Sequence, residues 1–225
     1  MTDRVGFIGL GLMGKPMALN LLKKGFAVVA HSRSAPPVDV VVAAGATRAS
    51  SPAEVAAAAD VIVTMVPDSP DVRRVLEGPA GVFETIRAGS VIVDMSTIAP
   101  ATARDLAEKA AGRGVAMLDA PVSGGEIGAV NGTLSIMVGG DGAALARVRP
   151  ILNAMGNPER VVHIGPAGAG QVCKACNQVC IGGALASVSE AFAIARKAGI
   201  DPAKVREALL GGFAASRVLE VHGER

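Results

Sequence analysis

The stretch VGFIGLGLMGKPMALNLLKK, at residues 5–24, decides the fold. It starts with an apolar run, Val5–Gly9, which predicts a buried strand, and it ends with a predicted helix, Lys15–Lys24. Between them stand the glycines of a GxGxxG motif, Gly9, Gly11 and Gly14. In this setting the first glycine permits a tight turn, the second lets the backbone approach a pyrophosphate, and the third lets helix and strand pack closely. The stretch therefore predicts a dinucleotide-binding loop, and a glycine turn without a ligand is the alternative.

Apolar runs of strand length alternate with helical segments through the first 165 residues. The further predicted strands are Ala27–His31, Val61–Met65, Val91–Met95, Ala116–Ala120, Leu134–Val138 and Val161–His163. The further predicted helices are Pro52–Ala58, Asp71–Leu76, Ala101–Gly112 and Ala143–Met155. Such alternation predicts an α/β fold of Rossmann type, a doubly wound and mostly parallel sheet with helices on both faces.

The pattern changes after Gly165. The run QVCKACNQVCIGGALASVSEAFAIARKA contains no proline and predicts one helix from about residue 170 to 198, roughly 40 Å long. Gly199 is expected to end this helix, and Asp201-Pro202 to cap and begin the next one. A helix of this length indicates a connection between domains. We therefore predict a dinucleotide-binding domain at 1–165 and, at 166–225, a long interdomain helix with the start of a truncated all-α domain.

The residues at the end of the second predicted strand bear on the choice of dinucleotide. His31-Ser32-Arg33-Ser34 stands there, and the next carboxylate is Asp39. An Asp or Glu at this point would bind the ribose 2′-OH of NAD, whereas an arginine with nearby hydroxyl groups suits the 2′-phosphate of NADP. We therefore expect NADP (NADPH), bound in part by Ser32 and Arg33, with NAD as the alternative. The other interpretation is that Arg33 is a solvated loop charge.

Composition argues against several classes of function. The chain has 22 basic and 20 acidic residues, a net charge of +2, and no long basic run, so nucleic-acid binding is not expected. The N-terminal apolar run is too short for a signal peptide, and we find no uninterrupted run of the roughly 20 apolar residues that span a membrane. A cytoplasmic protein without a membrane partner is expected. The three cysteines, at 173, 176 and 180, predict neither a disulfide framework nor a metal site.

Two further features point to carbonyl chemistry. Ser123-Gly124-Gly125 follows a predicted strand, and its successive N–H groups with one hydroxyl suit a carboxylate, although a plain turn is the alternative. Lys174 lies near the start of the long helix among small and apolar neighbours. Reduction of a carbonyl by a nicotinamide also needs a proton donor, and a lysine ammonium is available at neutral pH. Lys174 is therefore the candidate acid/base, and an ordinary charge on a helix surface is the alternative.

Four stretches together resemble the β-hydroxyacid dehydrogenase family: GFIGLGLMGKPMALNLL (6–22), DMSTIAP (94–100), DAPVSGGEIGAVNGTLSIMVGG (119–140) and GAGQVCKACNQV (168–179). The resemblance covers almost the whole chain. It implies that Lys174 is the catalytic acid/base, that Asn177 holds the substrate or orients the lysine, and that Ser123, Gly124 and Gly125 bind a substrate carboxylate. With the glycine loop and the NADP residues included, the expected cofactor-binding residues are Gly9, Gly11, Leu12, Met13, Gly14, Ser32, Arg33, Met65, Val66, Pro67, Ser96 and Thr97.

The activity implied by this resemblance is NADPH-dependent reduction of a small carboxylated aldehyde to a hydroxy acid. The segments SGGEIGAVNGTLSIMVGG and GGFAASRVLE favour tartronate semialdehyde, which would give D-glycerate. Reduction of glyoxylate or succinic semialdehyde, and oxidation of 3-hydroxyisobutyrate, are alternatives. Family members normally continue with further helices past the position of Arg225, so we expect an incomplete helical domain and a homo-oligomer. A non-catalytic NADP-binding module or inactive fragment is the alternative from a different class.

Overall fold

A computed structural model describes residues 3–223 of the chain. Contacts divide the chain into two compact units, the first ending at Lys174 and the second beginning at Ala175. In the described residues of the first unit, one sheet of nine strands is present. The strands are β1 (Val5–Ile8), β2 (Val28–His31), β3 (Thr47–Arg48), β4 (Val61–Thr64), β5 (Val91–Asp94), β6 (Ala116–Asp119), β7 (Val122–Ser123), β8 (Leu134–Gly139) and β9 (Gly156–Gly165).

The strands follow the order β3-β2-β1-β4-β5-β6-β8-β7, and β9 pairs with β8. Strands β1 to β6 pair with one another in parallel. Strand β8 runs antiparallel to β6 and β7, whereas β9 is parallel to β8. The prediction of a doubly wound, mostly parallel sheet is confirmed, and the antiparallel step was not foreseen.

Helices alternate with the strands as far as β9, and three further helices then follow one another in the described chain. They are α1 (Gly14–Lys23), α2 (Ala35–Ala43), α3 (Pro52–Ala58), α4 (Ser69–Glu77), α5 (Pro100–Ala111), α6 (Gly125–Asn131), α7 (Gly142–Met155), α8 (Ala169–Lys197), α9 (Pro202–Leu210) and α10 (Arg217–His222), with a 3₁₀ turn at Val82–Glu84. The prediction gave no bounds for α2, α6 or α10. In α2 the sequence APPVDVVVA opposes a helix by propensity, but its prolines lie at the first turn, where they are tolerated, and Val38 and Val41 are buried.

The core forms on both faces of the sheet because its strands are apolar on both sides. Phe7 of β1 belongs to a cluster with residues of α1, α2 and α7, whereas its neighbour Ile8 belongs to a second cluster with residues of α3, α4 and α5. Strands β4 and β5 alternate in the same way. This three-layer arrangement fixes the carboxyl ends of β1, β4 and β5 side by side, where ligands bind in folds of this kind.

The second unit contains the remainder of α8 together with α9 and α10. Gly199 has a φ of +72°, the left-handed conformation that often ends a helix. The carboxylate of Asp201 then accepts a hydrogen bond from the Ala203 N–H at 2.9 Å, and Pro202 begins α9. The predicted end of the long helix and the predicted cap are therefore confirmed.

Helix α8 is long and apolar enough to cross a membrane by length and composition alone, with a mean hydropathy of 1.5 over its most apolar stretch. This indication is weak, since long apolar helices of soluble proteins pass the same test. The helix contains no uninterrupted run of about 20 apolar residues, because polar residues such as Asn177 interrupt a stretch that is apolar on average. Exposed apolar side chains of α8 include Val179 and Ile194, which are 75% and 70% exposed.

Candidate functional site

The glycine loop follows β1 and leads into α1. Gly9 has a φ of +98°, and a Cβ there would lie 2.2 Å from the Met65 carbonyl oxygen. A Cβ at Gly14 would lie 1.9 Å from the Gly9 carbonyl oxygen, so both positions require glycine for the turn itself. A Cβ at Gly11, in contrast, would meet nothing within 4 Å. Glycine at this position therefore leaves open space beside the loop, as a closely approaching ligand requires.

A cavity of about 620 Å³ opens above this loop and is formed by residues of the first unit. We call it the cofactor cavity. In the described part of the chain no side chain caps the start of α1, so its N–H groups and positive dipole end are available to a phosphate. The predicted cofactor residues that line the cavity are Gly9, Gly11, Leu12, Met13, Gly14, Ser32, Arg33, Met65, Val66, Pro67 and Thr97. The cavity size, the glycines and the free helix end fit a dinucleotide.

Ser96 is the predicted cofactor residue that does not line this cavity. It is completely buried, and its hydroxyl oxygen accepts a hydrogen bond from the Val66 N–H at 3.0 Å. It thereby joins the loop after β5 to the loop after β4, both of which contribute cavity residues. We therefore assign Ser96 a supporting position behind the cavity wall in this structure.

One end of the cofactor cavity contains two arginines around one carboxylate. Arg33 lies 3.6 Å from Asp71, and Arg74 lies 2.9 Å from the same carboxylate oxygen. All three residues line the cavity together with Ser32 and Ser34. The sequence indicated Arg33 but not Arg74, because nothing in the spacing of residues in α4 indicates that the Arg74 side chain lies beside the residues that follow β2.

At the end of β5, Asp94 is completely buried. Its Oδ1 accepts hydrogen bonds from the Thr64 hydroxyl at 2.8 Å and the Ser96 N–H at 3.2 Å. Its Oδ2 has no hydrogen-bond partner among the described residues. Burial raises the pKa of Asp94 to about 6, although hydrogen bonds from Ser96 and Thr64 oppose the shift.

This burial predicts an unusual pH dependence of stability. Since the folded pKa lies above the unfolded one, the cost of the buried charge is fully present above pH 6 and is relieved as the pH falls toward 4. Asp94→Asn retains Oδ1 and cannot ionise. We expect the free energy of unfolding of the wild type, relative to that of this variant, to rise by on the order of 3 kcal/mol as the pH falls from above 6 to 4.

The measurement is urea denaturation of both proteins at pH values from 4 to 8. Glu108→Gln, on the exposed face of α5, is the control for the loss of one negative charge. A stability difference between wild type and Asp94→Asn that stays constant across the window would contradict a raised pKa for Asp94.

Lys174 is half-buried, and its Nζ donates a hydrogen bond to the Val122 carbonyl oxygen at 2.9 Å. Val122 immediately precedes Ser123-Gly124-Gly125, which we call the serine–glycine loop. The fold thus brings the predicted acid/base beside the predicted carboxylate loop, although 52 residues separate Lys174 from Val122 in the chain. Burial lowers the pKa of Lys174, which makes the neutral amine more accessible than in an exposed lysine.

The serine–glycine loop has a backbone that favours glycine. Gly124 and Gly125 have φ angles of +135° and +61°, and α6 begins directly at Gly125. Ser123 ends β7 and pairs with Ser135 of β8. A Cβ at Gly125 would meet nothing within 4 Å, so this part of the loop faces open space. The loop can therefore present backbone N–H groups and one hydroxyl to a ligand.

Asn177 belongs to the second unit, where its side-chain amide donates to the Gln178 Oε1 at 3.0 Å. Its role toward a substrate stays a prediction. The thiols of Cys173, Cys176 and Cys180 are free, with Cys173 half-buried and the other two exposed.

The chain matches two family models in succession. Residues 4–165 match the NAD-binding domain of 6-phosphogluconate dehydrogenase, and residues 168–225 match the NAD-binding domain of NADP-dependent 3-hydroxyisobutyrate dehydrogenase. The second match covers the whole of α8, which is therefore a regular part of a dehydrogenase domain.

Individual proteins agree with these models. The chain is 48% identical to the 2-hydroxy-3-oxopropionate reductase of Escherichia coli over 99% of its own length and 75% of that enzyme. The structure of a Mycobacterium tuberculosis 3-hydroxyisobutyrate dehydrogenase with L-serine superposes with a TM-score of 0.90 at 34% identity, covering 100% of this chain and 76% of that one. Psf3 in complex with NADP+ and 2-OPP also has a TM-score of 0.90, at 30% identity, covering 98% of this chain and 77% of that one.

Both the geometry and the comparisons therefore lead to one assignment. The dinucleotide loop, the serine–glycine loop and the half-buried lysine occur together in the first unit, and the alignment with the Escherichia coli reductase extends over 99% of the chain at 48% identity. The chain belongs to the β-hydroxyacid dehydrogenase family of NAD(P)-dependent oxidoreductases, which act on CH–OH groups.

Proposed function

We propose that the protein is an NADPH-dependent reductase of a small carboxylated aldehyde, with tartronate semialdehyde as the first candidate substrate and D-glycerate as its product. The observation that carries the proposal is the hydrogen bond from Lys174 to Val122, which holds an ammonium beside the serine–glycine loop. The identity of 48% to a 2-hydroxy-3-oxopropionate reductase supports this choice of substrate.

In this proposal each group of the chain has a separate task. When bound, a reduced nicotinamide supplies a hydride. The serine–glycine loop binds the substrate carboxylate through backbone N–H groups and the Ser123 hydroxyl. Lys174 donates a hydrogen bond to the aldehyde oxygen, which stabilises the developing negative charge, and then transfers a proton to it. In the reverse direction the neutral amine of Lys174 accepts the proton, and its lowered pKa favours that step.

The test is NADPH oxidation, followed by absorbance, with tartronate semialdehyde, glyoxylate and succinic semialdehyde, and NADP+ reduction with 3-hydroxyisobutyrate. We expect the largest kcat/KM with tartronate semialdehyde. A larger kcat/KM with 3-hydroxyisobutyrate would favour that substrate instead, and the structural match to the mycobacterial dehydrogenase supports this alternative. NADPH binding without turnover on any of these compounds would indicate a binding module.

We further propose NADP over NAD as the cofactor. Arg33 and Arg74 place two positive charges at the end of the cofactor cavity, beside Ser32 and Ser34, and a 2′-phosphate is the ligand group that matches them. Asp71 lies between the two guanidinium groups and holds both near this end of the cavity.

Arg33→Ala is expected to raise the dissociation constant of NADPH about tenfold and to leave that of NADH nearly unchanged, because a charge-assisted contact to the 2′-phosphate is lost. Titration calorimetry with both nucleotides measures this. Arg48→Ala, an exposed arginine of β3 outside the cavity, is the matched control. Equal losses of NADPH and NADH affinity in Arg33→Ala would contradict 2′-phosphate recognition.

Two properties of the whole protein are also proposals. We propose a homo-oligomer, supported by the exposed apolar side chains Val179 and Ile194 of α8, and light scattering with chromatography measures it. We propose a cytoplasmic location, which cell fractionation tests.

A further inference from the structure

The start of α8 is held by a carboxylate from a distant strand. Asp119, at the end of β6, is 2% exposed. Its Oδ1 accepts a hydrogen bond from the Gly168 N–H at 2.7 Å, and its Oδ2 accepts one from the Gln171 N–H at 2.9 Å. Both oxygens thus bind N–H groups that a helix start leaves without partners, and the negative charge lies at the positive end of the helix dipole.

Close packing accompanies these hydrogen bonds. A Cβ at Gly170 would lie 2.3 Å from the Met137 carbonyl oxygen, and one at Gly139 would lie 2.5 Å from the Asp119 Oδ1. The first turn of α8 therefore lies against the ends of β6 and β8 with no room for a side chain at either position. The helix start has little freedom to shift while these contacts remain.

Gln171 connects the same helical turn to a second loop. Its side chain is buried, its Nε2 donates to the Ser96 carbonyl oxygen at 2.8 Å, and its Oε1 accepts from the Ile98 N–H at 3.1 Å. Between these two partners lies Thr97, which lines the cofactor cavity. One buried amide thus joins the start of α8 to the wall of the cofactor cavity.

Lys174 follows Gln171 by three residues, so the two side chains lie on neighbouring positions of one helix face. Its Nζ is hydrogen-bonded to Val122, which follows Asp119 by three residues. Asp119 therefore holds the first turn of the helix that contains Lys174. It also lies at the end of β6, directly before the segment that leads to the serine–glycine loop. All of these residues belong to the first unit.

We propose that Asp119 and Gln171 are positioning residues, which together hold Lys174 in register with the serine–glycine loop and the cofactor cavity. We call the two side chains the α8 clamp. The clamp acts through Lys174 and touches neither substrate nor cofactor. Its kinetic consequence rests on the proposed function of Lys174 as the acid/base.

Two variants test the α8 clamp. Gln171→Met keeps the length of the side chain and removes both amide hydrogen bonds, and Asp119→Asn keeps the acceptor for Gly168 while losing the one for Gln171. For each folded variant we expect kcat to fall by about 100-fold, since small misplacements of a catalytic group have effects of this size. The KM for NADPH should stay unchanged, because the cavity residues themselves are retained.

Hydrogen exchange supplies a readout that does not depend on turnover. In Gln171→Met, amides of residues 168–174 should exchange faster while those of β1 and β4 keep their wild-type protection. Thr85→Val is the matched control, because it removes a side-chain hydrogen bond to the Ala53 carbonyl oxygen, 2.6 Å long, far from the clamp. That control should keep its kcat and the protection of residues 168–174.

The outcomes separate the two proposals. Unchanged exchange at residues 168–174, or faster exchange with an unchanged kcat, would overturn the α8 clamp. A fall in kcat that the Thr85→Val control reproduces would show a general loss of stability and would equally overturn it. If the wild type lacks turnover, the proposed function fails, and the exchange result alone decides whether the clamp exists.

Discussion

Replacement of Lys174 by methionine is expected to lower kcat roughly 10²–10⁴-fold, the usual range for loss of a general acid/base. Methionine retains the apolar stem, which is half-buried, and removes the ammonium that donates to the Val122 carbonyl oxygen. NADPH affinity should stay at the wild-type value, since Lys174 does not line the cofactor cavity. Steady-state kinetics with the best substrate, and nucleotide titration, measure the two quantities.

The matched control is Lys23→Met, which alters an exposed lysine in the last turn of α1. It should retain wild-type kcat and KM. Wild-type turnover in Lys174→Met would remove the central step of the proposed mechanism. A loss of NADPH binding in this variant would assign Lys174 to the cofactor instead.

Gly11→Ala is expected to weaken NADPH binding by about tenfold or more without lowering the melting temperature. A Cβ at this position meets nothing within 4 Å in the protein, so the fold has room for it. The added methyl group occupies the open space beside the loop, where a pyrophosphate must come close to the backbone. Nucleotide titration and thermal unfolding, measured on the same preparation, separate the two effects.

Gly14→Ala, in contrast, should destabilise the fold itself. Its Cβ would lie 1.9 Å from the Gly9 carbonyl oxygen, so the turn itself must move. We expect a loss of about 1–3 kcal/mol in the free energy of unfolding, together with weaker binding. Gly182→Ala is the control, because a Cβ at this position of α8 meets nothing within 4 Å. It should lower neither the affinity for NADPH nor the free energy of unfolding. Full NADPH affinity in Gly11→Ala would contradict the assignment of the glycine loop to the pyrophosphate.

Much of the fold could be predicted because its signals are local. From Val5 onward, the spacing of the three glycines between a strand and a helix is compatible with only a few local structures. The apolar runs of β4 and β5 are typical of strands that are buried on both faces. Helix α2 was missed because prolines and valines oppose a helix by propensity, whereas burial of Val38 and Val41 against the sheet stabilises it.

The sequence by itself determined the dinucleotide loop, the alternation of strands and helices that predicts a parallel sheet, and the candidate lysine, since each of these signals lies in residues close together in the chain. Only the tertiary structure decided which distant groups meet. Asp119 accepts hydrogen bonds from Gly168 and Gln171 at the start of α8, which lie 49 and 52 residues further along the chain. Arg74 of α4 lines the same cavity as Arg33, which follows β2. Such contacts depend on how helices and strands pack in three dimensions. The spacing of residues along the chain predicts local elements but not which distant side chains meet.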